Sequence, residues 1–78
     1  MLEKIQRTDF EELVAFIKGD TSIARDQETG ALLYKYERVY VLIITREPHR
    51  CSRWSRSAVR SDEEAIRRAQ KVLDRYPL

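Results

Sequence analysis

The stretch from Ala31 to Thr45, ALLYKYERVYVLIIT, constrains this chain more than any other. It is dense in tyrosine, valine and isoleucine and has no helical period, which is the composition of pleated, part-buried strand. Val39 to Ile44 is apolar at every position, so both of its faces need cover and it reads as a central strand. Fifteen residues exceed an ordinary strand, and the polar pair Glu37-Arg38 marks a bulge, a bend or a tight turn between two shorter strands. Counted as one strand, Tyr34, Tyr36 and Tyr40 share a face with Leu42 and Ile44, a core position with hydroxyls at its rim.

The flanks supply the other elements. Gln27-Glu28-Thr29-Gly30 is a turn whose glycine suits a positive φ, and it joins the long run to a weaker strand, Thr21 to Asp26. Pro48 ends the run because it cannot donate to a ladder, and a short turn leads into a last strand, Arg50 to Val59. Thr8 with Glu11 forms a capping box for a first helix from Asp9 to Lys18, and Gly19 suits its left-handed end. Its stripe is Phe10, Leu13, Val14 and Ile17. Phe16 lies off that stripe and widens the apolar face, which implies deep burial or contact with another subunit. Ser61-Asp62-Glu63-Glu64 forms a second capping box and opens a second helix along Ala65, Ile66, Ala69, Val72, Leu73 and Tyr76, with acids at its start, Arg67, Arg68, Lys71 and Arg75 towards its end, and Pro77 as its stop.

The expected fold is one α+β domain over residues 1–78: an antiparallel sheet of three to four strands with an N-terminal and a C-terminal helix packed on one face. A chain of 78 residues holds one core, and without disulfides that core is small enough for homodimerisation to be a natural supplement. Cys51 is the only cysteine, which fits a reducing cytoplasm and offers neither a zinc nor a redox motif. Charges scattered through the first twenty residues exclude a signal peptide, and Val39 to Ile44 is too short to cross a bilayer.

Charge is where function is most legible. Net charge is only +2, yet residues 1–30 carry four basic and seven acidic groups (−3), while residues 46–60 carry five arginines against Glu47 alone (+4). Taken as a strand, Arg50 to Arg60 places Arg50, Ser52, Trp54, Arg56, Ala58 and Arg60 on one face and Cys51, Arg53, Ser55, Ser57 and Val59 on the other. If Trp54 faces outward, it and Arg46, Arg50, Arg53, Arg56 and Arg60 can stack bases and contact phosphates. If Trp54 enters the core, a bulge must return Arg56 to water. A charged edge strand also deters aggregation, although such edges usually mix signs.

The basic strip therefore predicts an anionic partner, RNA or DNA bound by a small non-enzymatic module. The alternative is an acidic protein surface bound by a small regulatory or inhibitor protein. A third reading is RNA cleavage, for which His49, Arg46, Arg53 and Tyr40 would have to converge. His49 beside Cys51 lacks an orienting third group, and nothing in the chain calls for a catalytic site, a cofactor or a metal.

Overall fold

The long apolar run folds as two strands, β3 (Ala31–Lys35) and β4 (Val39–Ile44), and Glu37-Arg38 lies in the tight turn between them. That turn closes on the Tyr36 N–H, which donates to the Val39 carbonyl at 2.9 Å. The computed structural model describes residues 1–76. In it β4 sits between β3 and β5 (Arg50–Ser55), and the sheet continues through β2 (Ser22–Asp26) to β1 (Glu3–Lys4), in the antiparallel order β1-β2-β3-β4-β5. The α+β class is as expected, with a fifth strand added. A two-residue strand such as β1 has no hydrophobic period to read, and it exists because its backbone pairs with β2.

Register decides the faces. The tight turn sets Tyr34 opposite Val41 and Lys35 opposite Tyr40, so even-numbered residues of β3 share a face with odd-numbered residues of β4. Tyr34 and Tyr36 consequently lie on the opposite face from Tyr40, Leu42 and Ile44, which corrects the expectation of one tyrosine face. Across the sheet, one side carries the rows Ala24-Leu33-Leu42-Ser52 and Asp26-Ala31-Ile44-Arg50, with Tyr40 beside Trp54. The other side carries Arg25-Leu32-Ile43-Cys51 and Ser22-Tyr34-Val41-Arg53. A bulge between Ser22 and Ala24 lets both rows include β2.

Helix α2 (Asp62–Asp74) covers the first side. Its Ala65, Ala69 and Leu73 are buried with Leu33, Tyr40, Leu42, Ile44 and Val59, and the two alanines allow the helix axis to lie close to the sheet. Tyr76 follows the helix and joins this core, its hydroxyl donating to the Arg46 carbonyl at 2.6 Å. The Ser61 hydroxyl accepts from the Glu64 N–H, but the Glu64 carboxylate turns back to the Arg60 N–H rather than to Ser61, so the box closes one residue early. Pro77, expected to stop this helix, lies outside the described residues.

Helix α1 (Asp9–Ile17) has the expected complete capping box between Thr8 and Glu11 and is followed by Gly19 at φ 77°. It buries no residue. Most of the stripe that the sequence assigns to the core is turned outward: Phe10, Leu13 and Ile17 are 73, 56 and 73% exposed, and Phe16 beside it is 76% exposed, so it is not deeply buried. Only Val14 and Ala15 reach intermediate burial.

Candidate functional site

The five arginines and the tryptophan singled out by charge are dispersed by the fold. Strand β5 ends at Ser55, four residues before the expected end at Val59, because the chain turns there: the Ala58 and Val59 N–H groups both donate to the Ser55 carbonyl. That turn takes Arg56 and Arg60 out of the strand. Trp54 opposes the buried Tyr40 and packs part-buried against the core, and a turn rather than a bulge returns Arg56. The Arg56 guanidinium donates to the carbonyls of Tyr36 and Glu37 at 3.2 and 3.3 Å and lies 5.7 Å from the Tyr40 ring centroid, clamping the β3–β4 turn. Arg46 donates to the Glu28 carbonyl.

Arg50 and Arg53 stand on opposite sides of the sheet, since Arg50 opposes Ile44 and Arg53 opposes Val41. Arg60 is exposed beyond the turn. None of the five arginines forms an ion pair among the described residues, whereas Arg7 and Arg68 pair with Asp20 and Glu64. The cluster is thus an uncompensated positive region without a single track of side chains.

The four side chains considered for RNA cleavage are not brought together. Tyr40 is buried on the α2 side and Arg53 is on the other. His49 lies beyond the far end of β4, one residue past Arg50, which pairs with Ile44, and so about five strand residues or roughly 16 Å along from Tyr40. The Tyr40 hydroxyl is instead committed to structure, donating to Asp62 Oδ1 at 2.6 Å, with Lys35 Nζ 3.1 Å from the same oxygen. Burial and the Asp62 carboxylate push the Tyr40 hydroxyl up to about 12. Burial would raise Asp62, but the donors Tyr40 and Lys35 outweigh it and hold the carboxyl below the ordinary aspartate range. This trio pins the start of α2 to the β3–β4 turn.

Register and exposure reveal surfaces that sequence reasoning did not assemble. The side of the sheet away from α2 is not covered by a helix layer. Leu32, Tyr34 and Ile43 are half-buried there, Val41 is buried, and Tyr36 stacks on Tyr34 with centroids 6.1 Å apart. Arg25, Arg53 and Cys51 edge this apolar strip and are exposed. The second surface is the outward arc of α1. Phe10, Leu13, Phe16 and Ile17 fall within about a third of the helix circumference, with Asp9 among them and Glu12 on their flank. Phe16 was the available signal for this arc, because an apolar residue off the stripe has to be covered by something. The strip on the sheet had no such signal, since its rows exist only once the register is known.

Among the described residues no group of three or more histidine, cysteine, aspartate or glutamate side chains is placed to hold a metal ion. No helix there is long and apolar enough to cross a membrane. The chain matches no protein-family model, and no curated protein or solved structure is significantly similar to it.

Proposed function

We propose that this protein is a non-enzymatic binding module whose partner is a protein surface with acidic character, engaged through α1 and the α2-distal side of the sheet. One observation carries this reading: α1, the more apolar of the two helices among the described residues, turns Phe10, Leu13, Phe16 and Ile17 to solvent. Four large apolar residues on one short helix amount to a contiguous patch of a kind that marks interaction sites. Arg25 and Arg53 border the neighbouring apolar strip and supply the preference for an acidic partner.

A second reading, binding of RNA or DNA, is favoured by the absence of carboxylate partners for Arg50, Arg53 and Arg60 among the described residues. Exposed, uncompensated arginines attract phosphates, and such binding weakens steeply with salt. Two measurements separate the readings. A photoreactive phenylalanine analogue at position 16, expressed in cells, should form a covalent adduct with a protein; no protein adduct of any mass would overturn the first reading. Fluorescence anisotropy against single- and double-stranded RNA and DNA at two salt concentrations tests the second. Salt-sensitive binding lost in an Arg50→Glu/Arg53→Glu variant would make nucleic acid the partner.

A further inference from the structure

Two surfaces of this molecule lack a covering layer, the outward arc of α1 and the α2-distal side of the sheet, where Val41 alone of the apolar strip is buried. Helix α1 is an apolar ridge accompanied by Asp9 and Glu12, neither of which has an ion-pair partner among the described residues. The α2-distal side of the sheet is an apolar strip of Leu32, Tyr34, Val41 and Ile43 bordered by Arg25 and Arg53, which are also unpaired there. An acid-flanked ridge and an arginine-flanked strip are complementary in both hydropathy and sign.

Resting on the protein-interaction reading above, we propose that the occupant of each surface is a second copy of this chain: α1 of one copy packs across the α2-distal sheet face of the other, and a twofold axis satisfies both surfaces at once. The same residues then serve twice, as an isologous interface requires. Area supports a joint interface over either patch alone. The outward arc of α1 offers roughly 400–500 Å² of apolar surface, given the size of aromatic and branched aliphatic side chains. A stable interface needs about 800 Å² per partner, so the helix must be joined by the sheet strip to reach it. The proposal assigns Glu12 of α1 to Arg53 of the partner subunit, so that the acids of the ridge meet the arginines of the strip in trans.

Sedimentation equilibrium on the full chain, from about 1 to 500 μM, gives the first test. The expected result is a dimer of twice 9.3 kDa, converted to monomer by Phe10→Glu/Phe16→Glu with an unchanged circular dichroism spectrum, as suits exposed positions. A wild type that is monomeric at 500 μM overturns the second-copy proposal.

Charge reversal tests the geometry. Glu12→Arg alone and Arg53→Glu alone should each raise the dimer dissociation constant at least tenfold, because each creates two like-charge contacts per dimer. An equimolar mixture of the two variants should restore a heterodimer of wild-type strength, because every helix then meets a sheet of opposite sign. If Arg53→Glu alone dimerises as the wild type does, the helix-on-sheet arrangement is overturned. The adduct at position 16 separates this failure from failure of the underlying reading. A monomeric wild type whose adduct carries a different protein sinks the second copy and leaves the interaction reading standing, whereas a monomer without any adduct sinks both.

Discussion

Helices α1 and α2 start alike and end in opposite environments. Each opens with a side-chain cap and acids in its first turn, and each has an apolar stripe at helical spacing. Yet α2, rich in arginine, lysine, glutamate and glutamine, anchors the core, while α1, mostly phenylalanine, leucine, valine and isoleucine around three acids, buries nothing. Small residues account for part of the difference. Ala65 and Ala69 bring α2 against the sheet, and Tyr40, Lys35 and Asp62 fix its first turn. Helix α1 connects β1 to β2, two neighbouring strands at the sheet edge, and the side of the sheet with the best apolar rows is already occupied by α2. Apolar content therefore does not decide which helix is core. Close approach to the side with the better apolar rows does.

The largest expected effect comes from cutting into the α2 side. Leu42→Ala should cost about 2–5 kcal/mol, a large share of the stability of so small a domain, as measured by urea unfolding. Phe16→Ala at the low end of the concentration range should stay within about 0.5 kcal/mol, because the side chain is mostly in water. Equal losses for the two would break the contrast between the helices.

Next in size is the Tyr40–Asp62 contact. Tyr40→Phe leaves a part-buried carboxylate short of a donor and should cost about 1–3 kcal/mol in the same urea assay. The two ends of this bond predict opposite pH limbs. Asp62 is lower in the folded state than unfolded, so its contribution is present above the ordinary aspartate range and lost as pH falls through its folded value. Asp62→Asn should accordingly flatten the acid limb of the stability profile. Tyr40 is raised, so its contribution is whole below about pH 10 and is lost as pH rises through about 12. Ultraviolet titration should find one tyrosine ionising near 12 in the wild type, and its disappearance in Tyr40→Phe would assign it.

The caps give the smallest and most discriminating test. Ser61→Ala should lower global stability by about 1 kcal/mol because α2 cannot fray without opening the core. Thr8→Ala removes an equivalent bond but should leave the urea midpoint nearly unchanged and accelerate amide exchange in α1 alone. A global loss from Thr8→Ala would mean that α1 is coupled to the core after all.

Local chemistry was legible in the sequence wherever a few adjacent residues decide the outcome. The Thr8–Glu11 box, the positive φ at Gly19 and Gly30, and the apolar run of β4 all follow from neighbouring side chains or from glycine's freedom. The candidate site was legible only as charge. Arg46, Arg50, Arg53, Arg56 and Arg60 are close in sequence, but a turn after Ser55, the period of the strand and two backbone carbonyl contacts send them in different directions. The α1 patch announced itself through Phe16, which a single stripe could not absorb.

By itself the sequence determined the two helices, the turn at Gly30 and the apolar strand-forming segments, though not β1 or the turn that ends β5 at Ser55, because propensity, capping and hydrophobic period act over a few residues. Only the tertiary structure decided the one-residue offset across the β3–β4 turn, and with it which of Tyr34 and Tyr40 faces α2. It also decided that α2 rather than α1 fills the core side, since one sheet face accommodates one closely packed helix and the more apolar of the two was left without it.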